Sequence, residues 1–310
     1  MSTLDEKVKA SIQRLKAFEP EEGYALQFSG GKDSVVIKAL ADMANVKYDA
    51  SYRLTSVDPP ELVRFIKKEH SDVAIDIPRN KDGSQATMWN MIVKERMPPT
   101  RLARYCCETL KESHGKGKLS ITGVRWAEST RRKNDQGAVT IIHEGNKKKR
   151  RQLAELADST DSASSTPSGG IVLNYDNDES QRVVVQCYRT MKTLVNPIID
   201  WEDKEVWEFI RANGIKYCGL YDEGFHRLGC VGCPMAGKHR SAQFARWPTY
   251  KIAYIHAFDR MLRERERDGL KPFAPNITNG EEVYHWWMDD GILPGQTDLF
   301  TDIDNAERNI

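Results

Sequence analysis

Six consecutive residues have the types and order of a phosphate-binding loop: Ser29, Gly30, Gly31, Lys32, Asp33 and Ser34. A pair of glycines lets the backbone turn sharply and aim several N–H groups at a phosphate. Lys32 adds a positive charge and the two serines add hydroxyl donors, while Asp33 could help to hold a metal ion on a pyrophosphate. Two glycines alone would suit any Gly-rich turn, so the interpretation depends on the whole hexapeptide.

Cysteines form a second group that could do chemistry. Five of the six stand in a spaced arrangement: Cys106, Cys107, Cys218, Cys230 and Cys233. A Cys-x-x-Cys on a Gly-rich loop gives two thiolates for one metal centre, and remote cysteines could complete four ligands. The same pair would also suit a redox dithiol, and a lone cysteine such as Cys187 is usually a small buried hydrophobe. The cysteine spacing alone does not distinguish an iron–sulfur cluster from a zinc site.

The elements around the phosphate loop predict a strand–helix junction. The apolar run 24–28 is typical of a strand, and 35–44 follows as a helix. Further strands are predicted over 48–54, 73–77 and 119–124, and further helices over 4–18, 60–69, 85–94 and 108–113. This alternation predicts an α/β fold with a doubly wound, mostly parallel, Rossmann-like sheet and helices on both of its faces.

The middle of the chain departs from this alternation. Antiparallel strands are predicted over 138–143, 171–175 and 182–187. The segment 145–170 between them begins with five basic residues and continues rich in Ser, Thr and Gly, which predicts a flexible surface insertion.

In the last third of the chain, the residue pattern predicts a cysteine-bearing loop followed by a helical region. Asp200 could cap a helix whose apolar face includes Val206, Phe209 and Ile210. A Gly/Cys-rich loop then spans 214–240, with helices predicted over 250–267 and 281–289. We therefore divide the chain into a nucleotide-binding domain, 1–213, and a cysteine-bearing loop that could bind a metal centre, with C-terminal helices, 214–310.

Composition excludes several classes of protein. The chain has 310 residues, 39% hydrophobic and 29% charged, with a net charge of +1. Such balance is normal for a soluble globular protein and predicts no polyanion partner from overall charge alone. No run approaches the ~20 apolar residues of a membrane span, and no apolar signal segment opens the chain. We expect a cytoplasmic protein without membrane contact, in which six cysteines are too few for a disulfide scaffold.

The hexapeptide resembles the PP-loop of the ATP pyrophosphatase superfamily, whose pattern is Ser-Gly-Gly-x-Asp-Ser. It lacks the Gly-x-x-x-x-Gly-Lys-Ser/Thr spacing of a Walker A loop. The resemblance implies the adenine nucleotide alpha hydrolase type of fold and ATP bound with Mg²⁺. It also implies cleavage between the α and β phosphates, with release of pyrophosphate and an adenylylated intermediate.

Further segments resemble the phosphoadenosine-phosphosulfate (PAPS) reductase branch of that superfamily. Residues 123–131 look like its segment that begins Gly-x-Arg-x-x-Glu-Ser and is followed by arginine, and 196–201, 206–207 and 220–224 match other parts of it, so the resemblance covers about 24–240. It implies nucleotide contacts from Gly123, Arg125 and Arg131 beside the loop, with catalysis by Lys32, Asp33 and Arg125. A solvated, Arg- and Glu-rich helix start is the alternative for this segment.

The cysteine pattern is similar to two members of the branch. Assimilatory adenylylsulfate reductases hold a [4Fe–4S] cluster with a Cys-Cys pair and a later Cys-x-x-Cys. The DndC/SspD-type sulfurtransferases of DNA phosphorothioation are nearest, and their arrangement would use Cys106 and Cys218. The resemblance implies a [4Fe–4S] cluster, with Zn²⁺ as the alternative. Cys230 and Cys233 are the first expected ligands and Cys218 the next, and the choice between Cys106 and Cys107 stays open.

Two features separate the chain from the reductases it resembles. Those enzymes attack sulfur with a C-terminal cysteine, whereas no cysteine follows Cys233 here, and their loop is degenerate because they do not split ATP. ATP sulfurylase subunits and FAD synthetases keep the loop but do not explain the cysteines. We therefore expect an ATP-dependent, pyrophosphate-releasing sulfurtransferase that adenylylates an acceptor oxygen for replacement by sulfur, with DNA phosphorothioation as the first choice.

Several alternatives stay open. They are a tRNA thiolation enzyme, a sulfate adenylyltransferase-like or PAPS/APS reductase-like enzyme of sulfur assimilation, an inert nucleotide sensor, and a zinc-stapled nucleic-acid-binding module. Lys147 to Arg151 and Arg131-Arg132-Lys133 could contact a phosphate backbone, although such runs are often only solvated. The expected partners are a cysteine desulfurase or another sulfur donor, DNA before tRNA, and accompanying modification proteins.

Overall fold

An eight-stranded sheet forms the centre of the part of the chain that carries the phosphate loop. The computed structural model describes residues 3–112, 117–143, 145 and 147–290. The strands are β1 (Tyr24–Gln27), β2 (Tyr48–Arg53), β3 (Ala74–Asp76), β4 (Ser120–Ile121), β5 (Val139–Ile142), β6 (Ala163–Ser165), β7 (Ile171–Leu173) and β8 (Lys192–Val195). Their order in the sheet is β3-β2-β1-β4-β8-β5-β7-β6.

The helices alternate with the strands in the first part of the chain and dominate its end. They are α1 (Leu4–Ala17), α2 (Lys32–Ala44), α3 (Pro60–Glu69), α4 (Met88–Glu95), α5 (Tyr105–Cys107), α6 (Thr130–Asp135), α7 (Lys147–Asp158), α8 (Asp178–Cys187), α9 (Asp203–Ala212), α10 (His239–Arg246), α11 (Pro248–Arg267) and α12 (Gly280–Met288). A π-helical turn, Glu108–Glu112, continues α5, and short 3₁₀ turns span Trp126–Glu128, Gly219–Tyr221 and Pro234–Ala236.

The sheet is parallel on one side and antiparallel on the other. β3, β2, β1, β4 and β8 all run parallel, with Ala25 and Leu26 of β1 facing Ser120 and Ile121 of β4. β5 then pairs antiparallel with β8, and β7 and β6 continue antiparallel. The prediction of an α/β fold with a mostly parallel sheet is confirmed.

The chain forms two compact units, which are not consecutive in sequence. The first contains the whole sheet and the described parts of 1–53, 60–76 and 113–228. The second contains 54–59, the described parts of 77–112, and 229–290 as described. The sequence places one boundary at 213/214, whereas the observed units interleave. Long-range packing, which gives no local sequence signal, causes this difference.

The segment 182–187 was predicted as a strand, but it belongs to the helix α8, Asp178–Cys187. Asn177 caps this helix by accepting the Ser180 N–H at 2.9 Å, and Asp178 and Glu179 favour its first turn. Val183, Val184 and Cys187 form its buried face at helical spacing. The apolar run that suggested a strand is therefore the inner stripe of a helix.

The segment 145–170 contains regular structure where an insertion was predicted. α7 buries Leu153 and Ala157, and β6 pairs antiparallel with β7. The amphipathic pattern behind the basic run outweighs the Ser- and Thr-rich composition that follows it. The predicted antiparallel strands on either side, β5 and β7, are confirmed.

The helix α9 begins later than the sequence suggested. Its N-cap is Glu202, within a capping box with Glu205, and not Asp200. The predicted apolar face of Val206, Phe209 and Ile210 is buried as expected. Among the helices that the structure describes, none is long and apolar enough to cross a membrane.

Candidate active site

The phosphate loop lies between β1 and α2, where the sequence placed it. Gly30 has φ +71°, and a Cβ there would lie 2.6 Å from Leu62 Cδ1 and 2.8 Å from Ile66 Cδ1. Only glycine fits this close approach to α3. Gly31 caps α2 in an extended conformation without a side-chain hydrogen bond, and Ser34 Oγ donates to the Gly31 carbonyl at 2.8 Å. The loop thus leads directly into a helix N-terminus, which is a site suited to anions.

A tyrosine contacts the loop from the 3₁₀ turn Gly219–Tyr221. The Lys32 N–H donates to Tyr221 Oη at 2.8 Å, and the Tyr221 ring packs edge-on to Trp207 with centroids 5.0 Å apart. Burial raises the pKa of Tyr221, so its hydroxyl stays protonated. Tyr221 therefore presents a neutral hydroxyl to the first turn of α2.

Two cations and two carboxylates meet beside the loop. Arg125 is 2% exposed, and its Nε lies 2.7 Å from Asp33 Oδ1 while its Nη2 lies 2.9 Å from Asp203 Oδ1. Lys32 Nζ lies 3.1 Å from Asp203 Oδ1 and 3.6 Å from Asp33 Oδ2. Arg125 Nη1 also donates to the Trp201 carbonyl at 3.3 Å. We call Lys32, Asp33, Arg125 and Asp203 the charge cluster.

Electrostatics keep two members of the charge cluster ionised. Burial alone would raise the pKa of Asp203, but hydrogen bonds and charges from Lys32 and Arg125 outweigh it and lower the pKa. Burial would likewise lower the pKa of Arg125, and Asp33 and Asp203 raise it. The Asp203 carboxylate and the Arg125 guanidinium therefore remain charged at neutral pH.

Gly123 brings the end of β4 against the start of α2. A Cβ on Gly123 would lie 3.0 Å from Asp33 Cβ and 3.3 Å from the Asp33 carbonyl oxygen, so a larger residue would push Asp33 away. Two residues later, the Arg125 N–H donates to Glu128 Oε2 at 3.1 Å. The glycine-then-arginine spacing seen in the sequence thus delivers Arg125 to Asp33.

Arg131 does not join the charge cluster. It lies on α6 with a side chain that is 84% exposed, and its Nε is 3.5 Å from Asp135 Oδ2. Its neighbour Arg132 pairs with Glu128. Direct nucleotide contact by Arg131 stays a prediction.

The second unit holds four of the cysteines. The backbone of Cys230-Val231-Gly232-Cys233 is fixed from several sides: the Val231 N–H donates to the Val57 carbonyl at 2.8 Å, and the Val231 carbonyl accepts from Tyr254 Oη at 3.0 Å. Gly232 has φ +76°, and a Cβ there would lie 2.6 Å from Phe244 Cζ and 3.0 Å from Tyr254 Cε2. This segment, the thiol loop, therefore requires glycine between its two cysteines.

The thiols of the second unit influence one another. The hydrogen bond between Cys106 and Cys107 raises the pKa of Cys106, and the nearby thiols of Cys230 and Cys233 add to this effect. The same hydrogen bond, helped by Arg104, lowers the pKa of Cys107. Cys106 is thus within electrostatic reach of the other three cysteines of the unit.

Polar groups surround Cys230. Its Sγ lies 3.4 Å from Thr55 Oγ1, and Thr55 N–H donates to Asp58 Oδ2 at 2.6 Å. Much of the Lys111 side chain is exposed, but its ammonium reaches Cys230, whose charge and hydrogen bond raise the pKa of Lys111. Burial raises the pKa of Cys230 in spite of that lysine.

The four thiols fit a metal centre in ligand type and number. Two pairs of cysteines in one unit are the donor set of iron–sulfur and structural zinc sites. Within the residues that the structure describes, no three His, Cys, Asp or Glu side chains are grouped closely enough to hold a metal ion. The pairing of the two segments in one unit is what the structure adds to the sequence pattern.

Cys218 and Cys187 belong to the first unit. Cys218 precedes the turn that carries Tyr221, is 1% exposed, and has its pKa raised by burial. Its role as a cluster ligand stays a prediction. Cys187 is buried on α8, consistent with its interpretation as a small hydrophobe.

The two basic runs lie at opposite edges of the sheet. β8 begins at Lys192, which faces Ile142 at the end of β5, and Lys149 of α7 donates to the Thr190 carbonyl just before β8. β8 runs parallel to β4 and β1, so this is the edge at which the parallel strands begin. The phosphate loop follows the end of β1, and Arg131-Arg132-Lys133 follow the end of β4. Only the second run shares the edge of the phosphate loop.

Sequence reasoning missed two residues of the site. Asp203 follows the family-like segment 196–201, and Tyr221 lies within the family-like segment 220–224. The sequence analysis assigned no role to either residue. The acidic first turn of α9 and the tyrosine in the Leu-Tyr-Asp-Glu-Gly stretch were the available signals. Neither has a spacing relation to residue 32 or 125, because the contacts span more than 70 residues of chain.

Comparison with known proteins identifies the family. The phosphoadenosine phosphosulfate reductase domain matches residues 23–236. An uncharacterized protein of Methanocaldococcus jannaschii is 25% identical over 98% of this chain, and this chain spans only 61% of that protein's length. An adenosine 5'-phosphosulfate reductase of Bacillus cytotoxicus is 31% identical over 21% of this chain and 29% of its own.

Among solved structures, one similar chain is a reductase. The phosphoadenylyl-sulfate reductase of Candida auris, in a phosphate complex, is 14% identical with a TM-score of 0.40. The superposition covers 74% of this chain and 96% of that chain.

Proposed function

Because the chain belongs to the phosphoadenosine phosphosulfate reductase domain family, a family of nucleotide-utilising enzymes, we propose that it is an ATP pyrophosphatase that adenylylates an acceptor oxygen for sulfur insertion. The acceptor in this proposal is a phosphate oxygen of the DNA backbone. The product is a phosphorothioate linkage.

The charge cluster beside an intact phosphate loop is the observation that carries this proposal. Lys32 and Arg125 place two cations at the N-terminus of α2, where the chain also offers backbone N–H groups. Such an arrangement suits a triphosphate and the pyrophosphate that leaves it. Asp33 and Asp203 are oxygen ligands of the type that Mg²⁺ prefers, and they hold the two cations in place until the nucleotide binds.

The proposed reaction has two steps. An acceptor oxygen attacks the α phosphorus of ATP, a new P–O bond forms, and the bond to the β-phosphate oxygen breaks to release pyrophosphate. A hydrosulfide-level sulfur then attacks the activated centre and displaces AMP, so that sulfur stands where oxygen stood. If a persulfide supplies the sulfur, two electrons from a thiol are also needed to release the product.

The cysteines of the second unit support sulfur chemistry. Cys230 and Cys233 would hold a [4Fe–4S] cluster together with Cys106 or Cys107, and Cys218 is proposed as the candidate for the remaining ligand. If only three cysteines hold the cluster, its fourth iron would supply a position that binds sulfide. The protein's own contribution is the fixed thiol loop, whose backbone is held by Val57, Tyr254 and the space around Gly232.

The basic residues of α6 support a nucleic-acid acceptor. Arg131 and Lys133 are exposed on the edge of the sheet that carries the phosphate loop. Cationic side chains on this edge would neutralise backbone phosphates near the reacting oxygen. A cysteine desulfurase or another sulfur donor is proposed as the partner that provides sulfur.

Sulfonucleotide reduction is a second candidate. The joint placement of the Cys106–Cys107 pair and the thiol loop in one unit favours it, since the sequence pattern resembles that of adenylylsulfate reductases. This activity would use adenylylsulfate as substrate and need no ATP. The two functions therefore predict different requirements for the phosphate loop.

An anaerobic assay distinguishes these functions. The protein is incubated with MgATP, hydrosulfide and either duplex DNA or tRNA; pyrophosphate is measured, and nuclease digests are analysed by mass spectrometry. We expect ATP-dependent phosphorothioate dinucleotides from DNA, lost in Lys32→Met and retained in Lys9→Met, an exposed lysine of α1. Sulfur only in tRNA would overturn the DNA acceptor. In a parallel incubation with adenylylsulfate and a dithiol as the two-electron reductant, formation of sulfite and AMP without ATP would establish the reductase.

Iron content tests the cluster separately. Anaerobically purified protein is expected to be brown, with about four iron atoms per chain for a [4Fe–4S] cluster. Cys230→Ser and Cys233→Ser should lose this iron, whereas Cys187→Ser should keep it. Cys218→Ser decides whether that residue is a ligand, and a colourless protein with one zinc would contradict the cluster.

A further inference from the structure

The start of α7 concentrates positive charge where a helix tolerates it least. Its first five residues, Lys147 to Arg151, are all basic, and no acidic residue stands in the first turn. The N-terminus of a helix already has a partial positive charge, and like charges three or four residues apart repel each other. The start of α7 thus concentrates like charges on the surface of the first unit.

Contacts within the chain engage some of these side chains. Arg151 Nε pairs with Glu155 Oε1 at 2.8 Å, and Lys149 donates to the Thr190 carbonyl. Lys147, Lys148 and Arg150 have exposed side chains on the same helix start. The buried residues Leu153 and Ala157 anchor the other face of α7, so the basic face is held outward.

The basic face is too far from the phosphate loop to serve its chemistry. Thr190, which Lys149 contacts, precedes β8, and Asn196, at the other end of β8, accepts from the Thr122 hydroxyl beside the loop edge. Six residues of nearly extended chain span about 20 Å. Charges on the surface are largely screened beyond about 8 Å at physiological salt. The α7 charges therefore act on something other than the nucleotide bound at β1.

We propose that the start of α7 binds the phosphodiester backbone of a nucleic acid, as a second contact surface remote from the reacting edge. The inference rests on the proposed function for the kind of acceptor, and it adds where that acceptor is held. A polyanion would relieve the repulsion among the five cations and release counterions. The exposed positions next to the basic residues are Gln152, Ala154 and Glu155, which lack the large apolar side chains that a membrane-binding helix inserts.

Salt-dependent binding tests this surface. The variant Lys147→Gln/Lys148→Gln/Arg150→Gln leaves Lys149 and Arg151 with their contacts. Binding to a fluorescent DNA duplex and to an RNA duplex of equal length is measured between 50 and 300 mM KCl, the range being on the order of that over which counterion release is visible. The matched control removes three exposed lysines elsewhere in the first unit, Lys9→Gln/Lys16→Gln/Lys67→Gln.

For the triple variant, we expect the binding constant to depend less steeply on the salt concentration. Three lost phosphate contacts should reduce the slope of log Kobs against log salt by about 2.7 for DNA, with at least about tenfold weaker binding near 0.1 M salt. The control should change the slope by less than about 1. The arm that changes, DNA or RNA, identifies the nucleic acid.

Three outcomes would overturn the proposal. These are an unchanged slope, an equal change in the control, and a loss of binding to anionic phosphatidylserine vesicles in place of nucleic acid. The thermal stability of the triple variant should stay the same or rise, because repulsion is removed, and this excludes misfolding as a cause. ATP affinity without nucleic acid should be unchanged in this variant. Pyrophosphate release by the original protein with nucleic acid is measured in parallel, so failure of the proposed function is detected independently.

Discussion

The charge cluster and the thiol loop are stabilised in opposite ways. In the charge cluster, side chains balance one another: two carboxylates face two cations, while the loop backbone offers its N–H groups. In the thiol loop, Val57, Tyr254 and Gln243 hold the backbone by hydrogen bonds. Its cysteine side chains belong to a set of thiols that shift one another's pKa. In the first site the charges of the side chains balance one another, whereas in the second a fixed backbone surrounds thiols that shift one another's pKa.

Of the substitutions that separate the two sites, removal of Arg125 should have the largest effect on stability. Arg125→Met would leave Asp33 and Asp203 without their main cation and the Trp201 carbonyl without a donor. Because the Asp203 side chain is 62% exposed, the loss of these charged hydrogen bonds should cost about 2–3 kcal/mol. We expect that loss in the free energy of unfolding, measured by urea denaturation, together with loss of ATP binding.

The control for this change is Arg131→Met, which removes a similar side chain that is 84% exposed. Its stability should change by less than about 0.5 kcal/mol. Iron content should persist in both variants if the two sites are stabilised separately. Equal destabilisation by both substitutions would contradict the assignment of Arg125 as the centre of the charge cluster.

A methyl group at position 232 should destabilise the thiol loop. Gly232→Ala combines a positive φ with a Cβ within 2.6 Å of Phe244 Cζ, so strain and overpacking together should cost about 2 kcal/mol. The variant should bind less iron but keep its ATP affinity. Gly229→Ala, where a Cβ meets nothing within 4 Å, should behave as the original protein in both measurements.

The Tyr221 hydroxyl should contribute less to the free energy of unfolding than Arg125 does. Tyr221→Phe leaves the Lys32 N–H without its present acceptor, and one such hydrogen bond is worth about 1 kcal/mol. Chemical denaturation should detect this loss, while Tyr175→Phe, at a 63% exposed tyrosine, should be neutral. A Tyr221→Phe protein of unchanged stability would mean that water replaces the hydroxyl at no cost.

The smallest effect should be a change in acid sensitivity at Asp203. Its pKa is lowered in the folded protein, so its stabilising contribution is present above the unfolded value near 3.8 and is lost as the pH falls below it. Asp203→Asn should therefore lose stability less steeply than the original protein between about pH 5 and pH 3. Thermal unfolding across this range measures the slope, with Asp49→Asn, at a 79% exposed carboxylate, as control. An unchanged slope would show that Asp203 is not held by Lys32 and Arg125 in solution.

Local sequence predicted most elements of the first unit but not all of them. β1, α2, β2 and α3 follow apolar patterns with a Gly-Gly turn or a Pro start, and each lies within a few residues of its predicted bounds. The error at 182–187 arose because a short apolar run fits a strand and the inner stripe of a helix equally well. The Asn177 cap, three residues before Ser180, was the signal that would have decided it.

The sequence alone determined the phosphate loop, the α/β fold class and the glycine-then-arginine segment, because each depends on neighbours within about ten residues. Only the tertiary structure decided that Arg125 meets Asp33 and Asp203, that Tyr221 contacts Lys32, and that the two cysteine segments share one unit. It also placed the two basic runs at opposite edges of the sheet. These relations join residues tens to hundreds of positions apart, and strand order and packing set them without leaving a local pattern.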